Sequence, residues 1–486
     1  MFAANFAPPV TDITNTIIKQ GKFPDIYKKT VTVTPVPKSF PTLKLDHFRD
    51  ISNLFLVDKV VEKVVAELMV EDMKSNIDPC QYGNKKRTSI QHYLVNLIHR
   101  ILTCTDNSSR GEAAAVIATI VDWKEAFPRQ CPRLGVESFI RNGVRPSLIP
   151  LLVSYFQGRE MRVKWQGKIW TVSKMPGSGP QGATFGLEEY LSQTNNITDC
   201  VPNKDRFRWI DDCSILEIVN LLTIGLSSYN IKYHVPNDIP VHNQYIDPEK
   251  LTSQRYLDII NINTKQQKMK MNQTKTKNLI FNFSKKHQFT TRLQLNDENV
   301  QVVNQTKLLG TIICDSLSWD ATIKDIVRKS YCRMEILRKI SGFGASVEDM
   351  KKIYISYIRS ILEQSCVVWG SSLTQENKND LERVKKIATK LLLKEKYVDY
   401  EKSLITLDLK KLSVRRNMLA LRFAKGCLKN EKMKHLFPLN TRNHKMNTRY
   451  PEKYKVLNAK TERLRKSTIP YLQNLLNKDE RKNQQK

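Results

Sequence analysis

Three aspartates stand where their carboxylates could act together. Asp122 directly follows the apolar run Ala113–Val121, and Asp211 and Asp212 are adjacent in the segment Phe207–Leu216. A carboxylate at a strand end and a pair at the tip of a hairpin can converge on one place. Clustered carboxylates raise one another's pKa unless a cation lies among them, and such an oxygen cluster suits Mg²⁺, which commonly also contacts substrate phosphates.

Two Mg²⁺ ions about 4 Å apart can activate a 3′-hydroxyl and stabilise a leaving pyrophosphate in nucleotidyl transfer. Each acidic motif also has a simpler explanation when it is taken alone. Adjacent aspartates favour turns, because their side chains bond to neighbouring backbone groups, and Asp122 alone could cap a helix. The residue types leave both explanations open.

Two further segments have residues that could bind phosphate or a base. The loop Met175–Gly186 contains four glycines and two prolines, so its backbone can approach a ligand closely, and Gln181 could hydrogen-bond a nucleotide or a template base. The spacing of a P-loop is absent. Lys275 and Lys277 precede an apolar segment and could neutralise a triphosphate. A plain surface loop and solvated lysines are the simpler alternatives.

Hydrophobic spacing predicts the strands that would position these residues. The run 113–121 predicts a strand that is buried on both faces, and 207–219 predicts two short strands around a turn. Further strands are predicted at 278–283 and 308–313. Together with the helices below, they predict an α+β core flanked by helical parts.

Helices are predicted before and after this region. Apolar residues at helical intervals span 57–68, and a second set over 90–101 follows a candidate N-cap at Ser89. From about residue 321 the pattern is helical, with one apolar stripe over 381–391, and the tail after about residue 472 is expected to fray. The basic residues of that stretch are expected largely outside the stripe: Arg383, Lys385, Lys386 and Lys390.

The charge balance points to a polyanionic partner. The chain has 79 Lys and Arg against 48 Asp and Glu, a formal net charge of +31. Residues 321–486 contain 39 basic and 17 acidic residues, so most of the excess lies in the C-terminal third. Nucleic acid is the expected partner, with an anionic membrane surface as the alternative. A hydrophobic content of 40% excludes a mostly disordered chain.

The sequence also indicates a compartment. Its longest apolar run has nine residues, whereas a bilayer-spanning helix needs about 20. The first ten residues lack the charged and apolar regions of a secretory signal. Nine scattered cysteines without a CxxC pair predict reduced thiols rather than disulfides or a zinc site. An intracellular protein, in the nucleus or the cytoplasm, is therefore expected.

Taken together and in order, segments from about residue 20 to about 475 resemble the reverse transcriptase of non-LTR retrotransposons, of the LINE-like, jockey type. VDWKEAFPRQ (Val121–Gln130) resembles motif A of that family, GSGPQGATFG (Gly177–Gly186) motif B and FRWIDDCSIL (Phe207–Leu216) motif C. NQTKTKNLIFNF (Asn272–Phe283) resembles motif D, and Thr306–Asp320 resembles the palm segment that follows. Other segments resemble its fingers and thumb: Gln20–Lys38, Leu45–Val65, Asp78–Leu94, Ser356–Leu373 and Asp380–Lys390.

The resemblance implies a role for each matching position. Asp122, Asp211 and Asp212 would bind the metal ions and be catalytic, with Lys275 as a possible general acid for pyrophosphate. Phe127 would collide with a ribose 2′-hydroxyl and so favour dNTPs. The other dNTP-binding positions would be Gln181, Gly182, Arg49 and Lys38.

The implied fold is a right-hand polymerase of the α+β class. Fingers, N-terminally truncated, would span 1–110, a palm with an antiparallel sheet 111–320, a helical thumb 321–430 and a basic C-terminal region 431–486. The implied enzyme is an RNA-directed DNA polymerase that uses two Mg²⁺ ions, or Mn²⁺ in their place. Its partners would be an RNA template, a DNA primer and dNTPs, with no membrane, and an endonuclease function would come from elsewhere.

Two alternatives remain. Motif C commonly has Tyr or Phe and then Ala or Val before its aspartates, whereas this chain has the bulkier Trp209 and Ile210. A shift of about 1 Å at the primer end can lower a rate by about 10²-fold, so the chain could be a catalytically inactive nucleic-acid-binding relic of such an element. An RNA-templated RNA polymerase is disfavoured by Phe127.

Overall fold

The computed structural model describes residues 2–29, 31–38, 47–106, 114–174, 179–221, 244–285, 288–440 and 452–484. These residues form many helices and several sheets in which antiparallel pairing prevails, so the predicted α+β class is confirmed. The limits of fingers, palm, thumb and C-terminal region stay predictions. Within the described ranges, no helix has the length and apolar character needed to cross a bilayer.

The α-helices follow one another along the whole chain and dominate it after residue 320. In chain order they are α1 (Phe2–Gln20), α2 (Asp25–Lys29), α3 (Leu56–Asp72), α4 (Ile90–Asp106), α5 (Pro132–Arg141), α6 (Ile149–Phe156), α7 (Thr184–Gln193), α8 (Thr252–Gln266), α9 (Asp320–Gly342), α10 (Val347–Ile353), α11 (Ser360–Leu362), α12 (Cys366–Trp369), α13 (Gln375–Leu393), α14 (Tyr400–Thr406), α15 (Leu412–Cys427), α16 (Glu431–Lys434), α17 (Glu462–Arg465) and α18 (Thr468–Gln484). The predicted helices over 57–68 and 90–101 are thereby confirmed as α3 and α4.

The strands lie between residues 31 and 314. In chain order they are β1 (Val31–Pro37), β2 (Phe48–Asn53), β3 (Ala114–Val121), β4 (Glu160–Trp165), β5 (Lys168–Lys174), β6 (Arg206–Trp209), β7 (Asp212–Asn220), β8 (Gln244–Tyr245), β9 (Lys277–Phe281), β10 (Phe289–Thr290), β11 (Gln294–Leu295), β12 (Glu298–Asn299), β13 (Gln301–Val302), β14 (Gln305–Leu308) and β15 (Thr311–Cys314).

A five-stranded sheet in the order β13-β9-β3-β7-β6 lies at the centre of the fold. β3 pairs antiparallel with both β7 and β9, β6 pairs antiparallel with β7, and only β13 joins its neighbour in parallel. The prediction of a strand buried on both faces is confirmed by β3. Its alternate side chains enter different cores, Ala115 and Ile117 one core and Val116 and Ala118 the other, as the period of two in a strand requires.

Helices cover both faces of this sheet. One core joins the sheet to α4 and to the helices that follow residue 320, and the opposite core joins it to α7 and α8. A third core holds α3 and α6 together through residues such as Val61, Val65 and Leu152. The central strand β3 is therefore fixed from both sides, which gives the residue after it, Asp122, a well-defined position.

A second sheet has the strand order β2-β1-β4-β5. Its strands are close in the sequence to the helices of the third core. β1 pairs antiparallel with β2 and parallel with β4, and β4 and β5 form a hairpin that turns at Gln166 and Gly167, both at positive φ. β5 is an edge strand of this sheet.

The strand predicted over 308–313 is wrong, because two strands occupy this region. β14 ends at Leu308, β15 begins at Thr311, and the two pair as an antiparallel hairpin. Leu309 and Gly310 form the turn, with φ of +48° and +82°. Gly310 is the one turn-forming residue in this largely apolar run, and the apolar residues on both sides of it favoured a single strand.

Two predictions for the C-terminal helices are also wrong. Lys385 is buried within α13 and its Nζ donates to the carbonyl of Lys410, and burial lowers the pKa of Lys385 to about 8. The tail after residue 472 does not fray, because Leu472 and Leu476 of α18 are buried in the core shared with α4. The predicted free thiols are confirmed for all nine cysteines.

Hydrogen bonds also tie the C-terminal segment to α4. The carboxylate of Asp106, the last residue of α4, accepts from the backbone N–H groups of Lys460 and Thr461 at 3.0 and 2.8 Å. The hydroxyl of Thr461 donates to the same carboxylate at 2.6 Å. Residues more than 350 positions away in the sequence thus supply hydrogen bonds to the end of α4, which packs against the central sheet.

Candidate active site

The register of the central sheet brings Asp122 and Asp212 together. The last residue of β3, Val121, pairs with Cys213 of β7. The next residue along the chain from Val121 is Asp122, and the neighbour of Cys213 in the opposite direction is Asp212. In antiparallel strands such residues are opposite one another, with Cβ atoms about 5 Å apart. The convergence expected from the sequence therefore follows from strand pairing.

Asp211 reaches the same place from the tip of the hairpin. Trp209 pairs with Asp212, so Ile210 and Asp211 alone form the turn between β6 and β7. Ile210 has φ of +56°, a left-handed conformation that β-branched residues rarely adopt. Two-residue hairpin turns require positive φ at the first turn position, which is usually met by Asn or Gly. The turn that carries Asp211 is therefore strained and needs support.

That support comes from Gln81 and Gly83, which the sequence did not single out. The side-chain Oε1 of Gln81 accepts from the backbone N–H of Ile210 and from that of Gly83, each at 2.9 Å. Backbone bonds join Tyr82 and Cys80 to Arg208 at 2.8 and 3.1 Å. Gln81 is only 1% exposed, so these bonds are shielded from water.

Gly83 lies so close to the turn that no side chain fits there. A Cβ on Gly83 would lie 2.6 Å from Cγ1 of Ile210 and 2.9 Å from its backbone nitrogen. In the sequence, Gln81–Gly83 belongs to the stretch Asp78–Leu94 that resembles the fingers of the family. Its Gln-x-Gly pattern is the one sequence feature that could indicate a functional role for the segment. The contacts of Gln81 and Gly83 with the β6–β7 turn give a physical reason for that pattern.

The three carboxylates repel one another electrostatically. Burial raises the pKa of Asp212 to about 7, with further contributions from the charges of Asp211 and Asp122. Burial also raises the pKa of Asp122 and that of Asp211, and for Asp122 the charge of Asp211 adds to the effect. The fold holds these carboxylates close together at a cost in free energy, which a bound cation would offset.

The donor set fits a hard cation such as Mg²⁺. The Oδ2 atom of Asp122 is buried and has no hydrogen-bond partner in the described part of the chain. Oxygen ligands of this kind suit Mg²⁺, which keeps several waters and binds through few carboxylates. Among the described residues, no group of three or more His, Cys, Asp or Glu side chains has the geometry of a preformed metal site. Metal binding therefore stays a prediction.

Lys275 lies beside this cluster. Its Nζ is 3.9 Å from Oδ2 of Asp122, and its positive charge opposes the rise in the pKa of Asp122. The neighbouring backbone is tied to the same point, because Asn272 N–H donates to the carbonyl of Asp122 at 2.8 Å. The side chain of Lys275 is 73% exposed, which leaves it accessible to a phosphate.

The loop with Gln181 and Gly182 is joined to β2. The backbone N–H of Ser52 donates to the carbonyl of Gln181 at 2.9 Å, and Gly182 has φ of +104°. A Cβ at Gly182 would be 3.7 Å from the carbonyl oxygen of Ser52, so it is the backbone conformation that favours glycine here. The first part of this loop, 175–178, lies outside the described residues.

A buried carboxylate caps the helix that follows this loop. Oε2 of Glu62 in α3 accepts from the backbone N–H of Thr184, the first residue of α7, at 2.8 Å, and the hydroxyl of Tyr155 donates to Oε1. The guanidinium of Arg159 lies 3.7 Å from the centre of the Tyr155 ring. A carboxylate at a helix N-terminus is favoured by free N–H groups and by the helix dipole, so Glu62 fixes the start of α7.

α7 carries two more buried acids. Burial raises the pKa of Glu188 to about 7 and that of Glu189 to about 8. Glu188 accepts from Asn84 at 2.7 Å, whereas the side-chain oxygens of Glu189 have no hydrogen-bond partner from a described side chain and lie against Gly135. A protonated Glu189 is therefore the form that this packing favours at neutral pH.

Phe127 lies near the carboxylates and packs against α7. Its ring centre is 5.0 Å from that of Tyr190, with 34° between the planes. Tyr190 is buried, and its hydroxyl has no hydrogen-bond partner among the residues described here. Burial raises the pKa of Tyr190 well above its usual value, and the charges of Asp211 and Asp122 add to this rise. Tyr190 thus backs the ring of Phe127 close to the carboxylate cluster.

The two predicted triphosphate contacts differ in position. Arg49 is exposed on β2, and its charge lowers the pKa of Asp211 against the effect of burial. Lys38 follows β1, where its backbone N–H donates to the backbone carbonyl of His47 at 2.8 Å. Arg49 therefore lies within electrostatic reach of the catalytic candidates, and a role for Lys38 rests on the family resemblance alone.

Comparison with known proteins gives one significant curated relative. The chain is 26% identical over 190 residues to a protein described as "Probable RNA-directed DNA polymerase from transposon X-element" of Drosophila melanogaster. The match covers 39% of this chain and 20% of that relative, so the chain matches about a fifth of the relative's length. No family model matches the sequence.

Solved structures of telomerases are similar at a low level. Apo telomerase from Candida tropicalis shares 10% identity over 87% of this chain and 66% of that one, with a TM-score of 0.42. Telomerase from Candida albicans with a TWJ fragment of telomeric RNA shares 10% identity over 86% and 62%, with a TM-score of 0.35. Scores at this level support no argument about function. The curated relative confirms the resemblance seen in the motifs: the chain is similar to the RNA-directed DNA polymerase of a non-LTR transposon.

Proposed function

We propose that this protein is an RNA-directed DNA polymerase, which extends a primer 3′-hydroxyl with dNTPs on an RNA template. The observation that carries the proposal is the convergence of Asp122, Asp211 and Asp212 at one end of the central sheet, through strand register and a tight turn. The similarity to a transposon RNA-directed DNA polymerase supports the same activity.

The carboxylates would hold the metal ions. Bound Mg²⁺ would supply neutralisation of charge and activation of the 3′-hydroxyl, with Asp122, Asp211 and Asp212 as ligands. Lys275 beside Asp122 would donate a proton to the departing pyrophosphate. Arg49 would bind triphosphate oxygens in addition to countering the charge of Asp211.

Sugar selection would reside in Phe127. Because Tyr190 packs against its ring on one side, Phe127 has little freedom to move away from a ribose 2′-hydroxyl. dNTPs lack this hydroxyl and would be accepted. Gln181 and Gly182, tied to β2 through Ser52, would contact the incoming nucleotide.

The basic residues after position 320 would bind the template–primer duplex. Their excess of 39 basic over 17 acidic residues suits phosphate contacts without sequence preference. Such binding should weaken steeply between about 50 and 300 mM salt, because each phosphate contact releases counterions.

Primer extension tests the proposal. The chain is supplied with an RNA template, an annealed DNA primer, dNTPs and Mg²⁺, and then Mn²⁺. We expect extension that disappears in the double variant Asp211→Ala/Asp212→Ala. Glu348→Ala/Asp349→Ala is the matched control, since these adjacent acids are exposed on α10. No extension in either metal, with salt-sensitive duplex binding intact, would identify an inactive nucleic-acid-binding protein instead.

A further inference from the structure

The ammonium group of one lysine in the C-terminal third is bound by the protein itself. Lys432 lies in the short helix α16, and its Nζ donates to the backbone carbonyls of Pro79 and Gln81, to the second at 2.6 Å. The same Nζ lies 4.5 Å from the centre of the Tyr82 ring, within the range of cation–π attraction. Both carbonyls belong to residues more than 350 positions earlier in the chain.

The helix that carries Lys432 is itself held in place. The next residue, Met433, is fully buried in the core that also contains Tyr82. Asn430 caps α16, because its side-chain oxygen accepts from the backbone N–H of Lys432 at 3.0 Å, and its Nδ2 donates to the carbonyl of Arg87 at 2.9 Å. The ammonium group therefore acts from a fixed position.

The segment that receives these contacts has little regular structure of its own. Between α3 and α4, residues 79–88 form no helix, and their one strand-like contact is a bridge between Gln81 and Arg208. Carbonyls in such a segment need donors from outside a helix or sheet ladder. Lys432 supplies them for Pro79 and Gln81. Loss of the ammonium group would leave this part of the backbone less constrained.

Gln81 connects this support to the candidate active site. Its backbone carbonyl accepts from Lys432, whereas its side-chain Oε1 accepts from the backbone N–H of Ile210. Because both contacts belong to one residue, a shift of the Gln81 backbone moves the acceptor that holds the strained turn. Two hydrogen bonds thus lead from Lys432 to the residue before Asp211.

The charge of Lys432 is kept at this place at a cost. Burial, with a smaller contribution from the charge of Lys85, lowers the pKa of Lys432 from 10.5 to about 8. The folded protein therefore disfavours the ammonium form relative to the unfolded chain. Since two carbonyls and a ring already surround this group, Lys432 differs from the basic residues proposed above to contact duplex phosphates.

We propose that Lys432 is a positioning residue for Asp211, because it holds the backbone of Gln81 and thereby the β6–β7 turn. Lys432 acts through the turn rather than by contact with a substrate or a metal ion. The inference rests on the proposed function, in which the carboxylate of Asp211 takes part in primer extension. Removal of the ammonium group should lower kcat, since a displacement of about 1 Å can lower a rate by about 10²-fold.

Amide hydrogen exchange tests the coupling without any need for catalysis. Lys432→Met keeps an unbranched apolar side chain but removes the ammonium group. We expect exchange of the Ile210 N–H to become about tenfold faster, because its acceptor on Gln81 is less constrained. Lys434→Met, at an exposed position of the same helix, is the matched control and should leave this exchange unchanged. Unchanged exchange at Ile210 in Lys432→Met would overturn the proposal.

Primer extension measures the consequence for catalysis. In Lys432→Met, kcat should fall about tenfold or more and the KM for dNTPs should change less than about twofold, because the turn carries a carboxylate and not the nucleotide-binding loop. Lys432→Arg keeps the charge and donors for both carbonyls, so it should restore most of kcat. Full kcat in Lys432→Met, despite faster exchange at Ile210, would contradict a positioning role.

A second control separates positioning from a general loss of stability. Asp106→Ala weakens the attachment of the C-terminal segment at the other end of α4, so it should lower Tm without lowering kcat. Lys432→Gln, which keeps N–H donors on a shorter neutral side chain, replaces Lys432→Met if the methionine variant does not fold. Weaker duplex binding with unchanged exchange at Ile210 would make Lys432 a phosphate contact and rule out the proposal.

Failure of the proposed function gives a different result. A parent chain that extends no primer in either metal would disprove the polymerase activity. Exchange at Ile210 would then still decide whether Lys432 fixes the turn that carries Asp211.

Discussion

The side chain of Gln81 accepts a hydrogen bond from the backbone N–H of Ile210 at 2.9 Å, and this bond holds the turn that presents Asp211. Ile210 has a positive φ, which costs a β-branched residue roughly 1–3 kcal/mol. The buried segment 81–83 keeps the turn in this conformation. Residues outside the carboxylate cluster thereby determine where the candidate catalytic carboxylate of Asp211 lies.

Gly83→Ala should abolish most of the proposed polymerase activity. The new Cβ would lie 2.6 Å from Cγ1 of Ile210, so the turn must move, and a displacement of about 1 Å can lower a rate by about 10²-fold. Steady-state primer extension measures the loss. Gly426→Ala in α15, where a Cβ meets nothing within 4 Å, should leave activity unchanged. Full activity in Gly83→Ala would show that the turn tolerates displacement.

Glu189→Gln should stabilise the protein at alkaline pH. Burial raises the pKa of Glu189 to about 8, above its unfolded value of 4.5, so the folded state binds the extra proton and stability falls as pH rises between these values. The glutamine does not titrate. The difference in Tm between variant and parent should therefore be small near pH 5 and grow toward pH 9.

Thermal unfolding at several pH values measures this difference. Glu137→Gln is the control, because Glu137 is exposed on α5 and pairs with Arg133 at the surface. Its effect on Tm should not grow with pH. A constant difference for Glu189→Gln would mean that Glu189 is not protonated in the folded protein.

Phe127→Ala should relax the choice of sugar. Removal of the ring opens space for a ribose 2′-hydroxyl, so the preference for dNTPs over rNTPs should fall by about tenfold or more. Single-nucleotide incorporation with each substrate measures the ratio. Tyr190→Phe keeps the ring that backs Phe127 and should preserve the preference. An unchanged ratio in Phe127→Ala would locate sugar selection elsewhere.

Glu62→Ala should raise the KM for dNTPs more than it lowers kcat. The change removes the cap of α7 and leaves the N–H of Thr184 and the hydroxyl of Tyr155 without their acceptor, at a cost in stability of about 1–3 kcal/mol. Gln181 lies three residues before Thr184 and would lose its fixed position. Glu62→Gln keeps an acceptor and should partly rescue the KM.

Glu67→Ala provides the matched control for this prediction. Glu67 is exposed on the same helix, α3, so its removal should change neither KM nor stability. A fall in kcat without any change in the KM for dNTPs in Glu62→Ala would contradict the proposal that Glu62 positions the nucleotide-binding residues.

Much of the central sheet was predictable because its signal is local. The apolar run before Asp122 identified β3, and the segment around Asp211 and Asp212 identified a hairpin with both aspartates at its tip. Strand pairing then brought the aspartates together, as the sequence had led us to expect. Periodicity and turn chemistry depend on neighbouring residues alone, and these predictions needed nothing more.

Other features depend on contacts between distant residues, and the sequence did not reveal them. Gln81 and Ile210 are 129 positions apart, and Glu62 and Thr184 are 122 apart. Lys385 was expected in solvent because lysine usually is, but a distant carbonyl at Lys410 offers its ammonium group a buried partner. The turn at Leu309 and Gly310 is marked by its glycine alone, within a run that is otherwise largely apolar.

The attachment of the C-terminal segment to α4 has a consequence for biosynthesis. Leu472 and Leu476 complete the core around α4, and Lys460 and Thr461 satisfy the carboxylate of Asp106. During synthesis on the ribosome, part of the apolar surface of α4 and of the sheet beside it therefore stays exposed until more than 350 further residues have been added. Nascent chains would expose this apolar surface for tens of seconds, at about 5–20 residues per second, and would be substrates for chaperones throughout that interval.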